Sequence, residues 1–161
     1  MLIEAAAAYT ILVTGIVTIV PIFQLAIKSS EKSRETLKAA ELAQELMEEV
    51  KLRRWDDSAN RRGYPDANGN TTLGVESGEV ATNKATFEDV DDFNGWTEAR
   101  PQNPVGTVIP GLAGYARTVT VAYVDSSFAV SASTTAYKKV TVCVAKASVT
   151  LACLYWVATN F

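Results

Sequence analysis

Residues 2–27, LIEAAAAYTILVTGIVTIVPIFQLAI, carry a single charged side chain, Glu4. At ~1.5 Å rise per residue a helix of this length spans roughly 39 Å, more than the ~30 Å hydrocarbon core of a bilayer. Lipid or other protein must cover such a segment on all sides, and this requirement constrains the chain more than any other feature. A secretory signal would have a basic leading region, a shorter apolar core and a small-residue cleavage site. A core helix of a soluble domain is seldom apolar on every face for so long. A plain single-pass anchor fits the length but leaves Glu4 unexplained.

A carboxylate near hydrocarbon costs several kcal/mol, of order 2.5–3.5 on insertion scales, so Glu4 needs a partner or an interfacial position. It either snorkels toward lipid headgroups or pairs with the N-terminal amine of a neighbouring copy. In the second case an unpaired acid opposes assembly and a paired one sets the axial register. Pro21 removes a backbone hydrogen bond and crowds the preceding turn. With Gly15, it predicts a kink or a melted stretch over residues 15–21, unless it is simply a tolerated transmembrane proline.

Beyond the apolar segment the composition changes twice. Residues 28–54, KSSEKSRETLKAAELAQELMEEVKLRR, lack Pro and Gly and are dominated by helix formers. Ala39, Leu42, Ala43, Leu46 and Val50 recur at three and four, forming one apolar stripe, while Glu31, Glu35, Glu41, Glu45 and Glu48 fall largely off it. Lys51, Arg53 and Arg54 suit the negative end of the helix dipole. A heptad signal lasts barely two repeats, so a covering domain explains the stripe better than a coiled coil. If both halves are one helix, it is roughly 80 Å long, and about 105 remaining residues can cover only its second half.

The rest is rich in Gly, Asn, Asp, Thr and Val. Residues 56–114 read as a loop-rich connection, marked by Gly63-Tyr64-Pro65, Asn94-Gly95 and Pro101 to Pro104. Phe87, Val90, Phe93 and Trp96 are placed to tack it onto a core. Residues 115–161 alternate as strands. Tyr115, Arg117, Val119, Val121 and Tyr123 share one face; Val140, Val142 and Val144 share another, opposite Lys139, Thr141 and Cys143; the last strand, LACLYWVA, is apolar on both faces and calls for cover from the loop region or an adjacent copy. The expectation is an α+β fold: residues 1–27 as an apolar helix, 28–55 as its amphipathic continuation, 56–114 as the connection, and 115–161 as a small antiparallel headpiece on the second half of the helix.

A hairpin turning about Ser148 sets Cys143 opposite Cys153, close enough for a disulfide. Two buried free thiols are the other reading. Net charge is −3 and there is no His, which removes the commonest general base and metal ligand. No catalytic motif is present, and neither enzymatic activity nor a cofactor is expected. Arg53, Arg54, Arg61 and Arg62 are interleaved with Asp56 and Asp57, as at a solvated helix end, and no nucleic-acid partner is expected. Asp66, Asn68 and Asn70 begin a calcium-loop spacing that fails at Ser77. Asp89, Asp91 and Asp92, with Glu88, are calcium candidates or a solvated acidic turn. Asn70-Thr71-Thr72 matches a glycosylation triplet by pattern only.

Leu2-Ile3-Glu4, the apolar helix and Pro21, seventeen positions after Glu4, together resemble the mature N-terminus of type IV pilins and type II secretion pseudopilins. The family usually places one more residue before the Glu. Either a residue precedes Met1 in the mature chain or the mature start is one shorter. This resemblance covers residues 1–54; short segments of the remainder, TFEDVDDFNGWTE and YKKVTV, are similar to prepilin-type proteins. It implies a homopolymeric filament whose core is the apolar helix, with Leu2, Ile3, Glu4 and Pro21 as assembly residues. It also implies residence in the inner membrane before assembly and on the cell surface afterwards. Its implied partners are further copies of the chain, a prepilin peptidase and the pilus assembly machinery. A cysteine pair near the C-terminus, common in the family, favours the Cys143–Cys153 bridge. The alternatives are a minor pilin or pseudopilin, and a monomeric membrane-anchored binding module.

Overall fold

The computed structural model describes residues 2–55, 73–75 and 79–160. The candidate calcium loop from Asp66, the Asn70 triplet, Arg61 and Arg62 lie outside the described residues. The first element is a continuous helix, α1, over Leu2–Lys51, with Pro21 in its interior. Contact density divides the chain after Leu37 into two units, 1–37 and 38–161.

In the second unit, β1 (Thr97–Glu98), β2 (Tyr115–Tyr123), β3 (Tyr137–Lys146) and β4 (Val149–Thr159) form one sheet in the order β1-β2-β3-β4, every pair antiparallel. The architecture is α+β, as the periodicities anticipate. Two short 3-10 helices, Lys84–Thr86 and Asp91–Phe93, punctuate the connection before β1. The three expected strands are present; β1 is an addition to them, too short to leave a periodic signal.

Ala39, Leu42, Ala43, Leu46 and Val50 are all fully buried. Their stripe faces Val119, Val121, Val140, Val142 and Val144 from the sheet, in one core with Phe87, Val90, Phe93 and Trp96. The Phe87 ring meets Phe93 and Trp96 edge-on, with centroids 5.0 and 5.3 Å apart, the arrangement aromatic quadrupoles favour. The loop-rich connection is thus held by its aromatics. β4 is half-covered: Leu151, Ala152, Leu154 and Trp156 pack against the core, while Val149 and Tyr155 remain exposed.

The β3–β4 hairpin turns at Ala147 and Ser148, both with positive φ (49° and 67°), the conformation that matches strand twist in a two-residue turn. That turn alone would place Cys143 opposite Ala152. A register shift at Val144/Ala145 gives β4 one extra residue and brings Cys153 opposite Cys143 instead. The structure joins the two as a disulfide, on the sheet face away from the buried valines.

Helical hydrogen bonding continues across Gly15 and Pro21, so the melted stretch anticipated at 15–21 is not present in the isolated chain. Proline removes one N–H, leaving the Val17 carbonyl without its intrahelical donor, but the bonds on either side hold the helix together.

Candidate functional site

Within α1, residues 3–37 are exposed almost throughout. Ile3 is 85%, Ile11 74% and Leu25 70% accessible. The helix is long and apolar enough to cross a membrane. Its polar side chains are suited to a medium without water. The hydroxyls of Thr10, Thr14 and Thr18 donate to the carbonyls of Ala6, Thr10 and Gly15, at 2.8, 2.6 and 2.9 Å. Each satisfies a donor inside the helix that lipid could not. Glu4 lies in the first turn of α1, where the positive end of the helix dipole also favours an acid. Of the four candidate assembly residues, Ile3 and Glu4 are exposed, Leu2 begins the helix and Pro21 sits mid-helix.

The second unit contains charges where an apolar core is expected. Glu98 on β1 is fully buried and receives Arg117 from β2 through Nε at 2.6 Å, Lys84 at 3.0 Å, the Trp96 indole N–H at 3.1 Å and the Gln102 amide at 3.0 Å. Lys84 also reaches Glu49 on α1 at 2.8 Å, and Arg117 donates to the Leu42 carbonyl at 3.3 Å. One buried carboxylate therefore ties the connection, the sheet and the covered part of α1 together. Arg117 is in phase with Tyr115, Val119 and Val121, a spacing that by itself signals a buried charge. Lys138, in phase with Val140, Val142 and Val144, carries the same signal. Lys84 and Glu98 left no periodic mark.

The acidic run is not a solvated turn. Asp89, Asp91 and Asp92 are buried because nearby backbone amides and Lys138 receive them. Asp89 Oδ1 accepts from the amides of Asp91 and Asp92, and Asp92 Oδ2 accepts from those of Glu88 and Asp89. Asp91 pairs with Lys138 at 2.5 Å. Asp89 Oδ2 and Asp92 Oδ1 have no hydrogen-bond partner, and among the described residues no three acidic, His or Cys side chains are grouped so as to hold a metal ion. The calcium candidates Asp89, Asp91 and Asp92 thus form an internal polar cluster.

Asp89 is pushed up to about 9, first by burial and then by the neighbouring carboxylates of Asp91 and Asp92, against the pull of Lys138. Its Oδ2 has no N–H donor, consistent with a proton held there. Below the ordinary value of 3.8 both folded and unfolded chains bind this proton. Between there and about 9 only the folded chain keeps it, so stability falls as pH rises, by at most about 1.4 kcal/mol per unit for one proton. Asp89→Asn, which retains the Oδ1 acceptor, should flatten that decline. Urea titrations of both proteins from pH 5 to 9 measure the two slopes; equal slopes would show that Asp89 does not carry the effect.

A long N-terminal helix whose covered residues 39–50 pack on a small antiparallel sheet is compatible with a pilin-like fold. No known protein family, curated protein or solved structure matches the chain.

Proposed function

We propose that this chain is the structural subunit of an extracellular type IV pilus-like filament, held in the membrane by α1 before assembly and packed through the same segment afterwards. The observation that carries this reading is a contrast within one helix. The stripe over 39–50 is fully covered by the chain's own sheet, whereas the more apolar residues 3–27 are exposed. Exposed apolar area of this extent marks a surface that meets lipid or protein.

Moving such a segment from lipid to a bundle of its copies brings little hydrophobic gain, because lipid tails are as apolar as leucine. Packing and polar pairing must drive the exchange. Glu4 is the group best placed for the latter, with the terminal amine of a neighbouring copy as its counterpart. Export and assembly would require a prepilin peptidase, a membrane platform and a cytoplasmic ATPase, as in the systems this N-terminus resembles.

Shearing cells that express the chain, collecting the fibres and identifying their subunit by mass spectrometry tests the proposal. The chain is expected as the dominant component. A trace quantity would assign it to a tip or pseudopilin role, and complete absence from surface fibres would overturn the filament reading.

A further inference from the structure

The buried cluster around Lys138 contains the three groups needed for a covalent reaction, independently of the filament reading. Lys138 Nζ lies 2.5 Å from Asp91 Oδ1, the two residues being 47 apart in sequence. Both are buried. The indole of Trp55 lies 4.0 Å from Nζ and the ring of Tyr123 5.9 Å, and the Trp55 carbonyl accepts a second Nζ hydrogen bond at 2.8 Å. The Asp89 carboxylate accepts from the Asp91 amide at 2.9 Å through Oδ1, and its Oδ2 receives no N–H or O–H donor among the described residues.

We infer that Lys138 and Asp91 form an intramolecular isopeptide bond, with Asp89 as the proton-transfer residue. The step begins as one proton passes from the ammonium to the carboxylate within this buried, aromatic-lined ion pair. The neutral Nζ attacks Asp91 Cγ and the C–N bond forms. One oxygen of the tetrahedral carbon then leaves as water, taking its proton from the Asp89 carboxylic acid. Nζ returns a proton to the Asp89 carboxylate. The net change is ammonium plus carboxylate to amide plus water, with Asp89 regenerated and no oxidant or cofactor involved. Holding amine and carbonyl at contact distance supplies the proximity that makes such a step fast without an activated ester.

The bond would lock the 3-10 turn at Asp91–Phe93 to the start of β3, an inner strand of the sheet. β3 would then carry two covalent ties, this one toward the buried face and the disulfide on the opposite face.

Peptide mapping of the purified full-length chain after reduction and alkylation tests the inference. The wild type is expected to yield a branched peptide joining the Asp91 and Lys138 segments, one water lighter than their sum, in most molecules. Lys138→Arg and Asp89→Asn should lose it, while Lys139→Arg, altering the neighbouring lysine on the outer face, should retain it. Linear peptides of unaltered mass from the wild type overturn the inference, whether or not the variants fold. So does a water-loss product mapping to other residues, and a branched peptide persisting in Asp89→Asn removes Asp89 from the reaction.

Discussion

Replacing Glu98 with alanine is expected to destabilise the sheet-bearing unit by about 3–5 kcal/mol, the range seen when one partner of a buried charge network is removed. Domains of this size are stable by roughly 5–15 kcal/mol, so the variant should be near unfolding at ambient temperature. The reason lies in what remains. Arg117 and Lys84 are both buried and both converge on this carboxylate. Without it, among the described residues two cations stay in the core with Glu49, the Gln102 and Leu42 carbonyls and the edge of Glu45 to receive them. The Trp96 indole N–H and the Gln102 amide lose their acceptors as well. Urea denaturation of the full chain in detergent, followed by near-ultraviolet circular dichroism, measures the loss. Truncating exposed Leu52 in parallel should cost under about 0.5 kcal/mol, as surface substitutions do.

The second large effect belongs to the other unit. Val17→Asp places a carboxylate near the middle of the apolar segment, at a cost of ~2.5–3.5 kcal/mol on insertion scales. The variant should disappear from both the membrane fraction and surface fibres, while the urea midpoint of residues 38–160 stays unchanged. Glu4→Ala should behave differently. It makes the segment more apolar, so membrane residence persists, but fibre yield falls on the order of tenfold or more, equivalent to at least about 1.4 kcal/mol per subunit contact. Fractionation with quantitative immunoblotting separates the two outcomes. A Glu4→Ala chain that assembles as well as wild type would show that the acid is an interfacial residue only.

Much of the fold can be read from spacing, because burial imposes periods. The stripe of Ala39, Leu42, Ala43, Leu46 and Val50 and the alternating valines of β2 and β3 each point one way only, and they meet in the structure. The aromatics Phe87, Phe93 and Trp96 mark a loop that must be tied down. Other features carry no such signature. β1 is two residues long, a single strand period that never repeats. The bulge that delivers the expected Cys143–Cys153 pairing is a one-residue event that composition does not disclose. The acids at 89, 91 and 92 read as solvent-facing by residue type, yet three-dimensional placement of amides and Lys138 lets them be buried. Arg117 and Lys138 teach the complementary lesson: a charged residue in phase with a buried face is a sign of a buried partner, here Glu98 and Asp91. The apolar segment is the clearest feature in the sequence, but what covers it is not set by the fold of the single chain.

Its surroundings in the assembled state are therefore the most direct measure of the account. Cryo-electron microscopy of sheared surface fibres should place residues 2–27 of every subunit against one another along the fibre axis, with Glu4 beside the terminus of an adjacent copy. Fibres in which that segment faces solvent, or chains that stay single in the bilayer with no fibre formed, would contradict it.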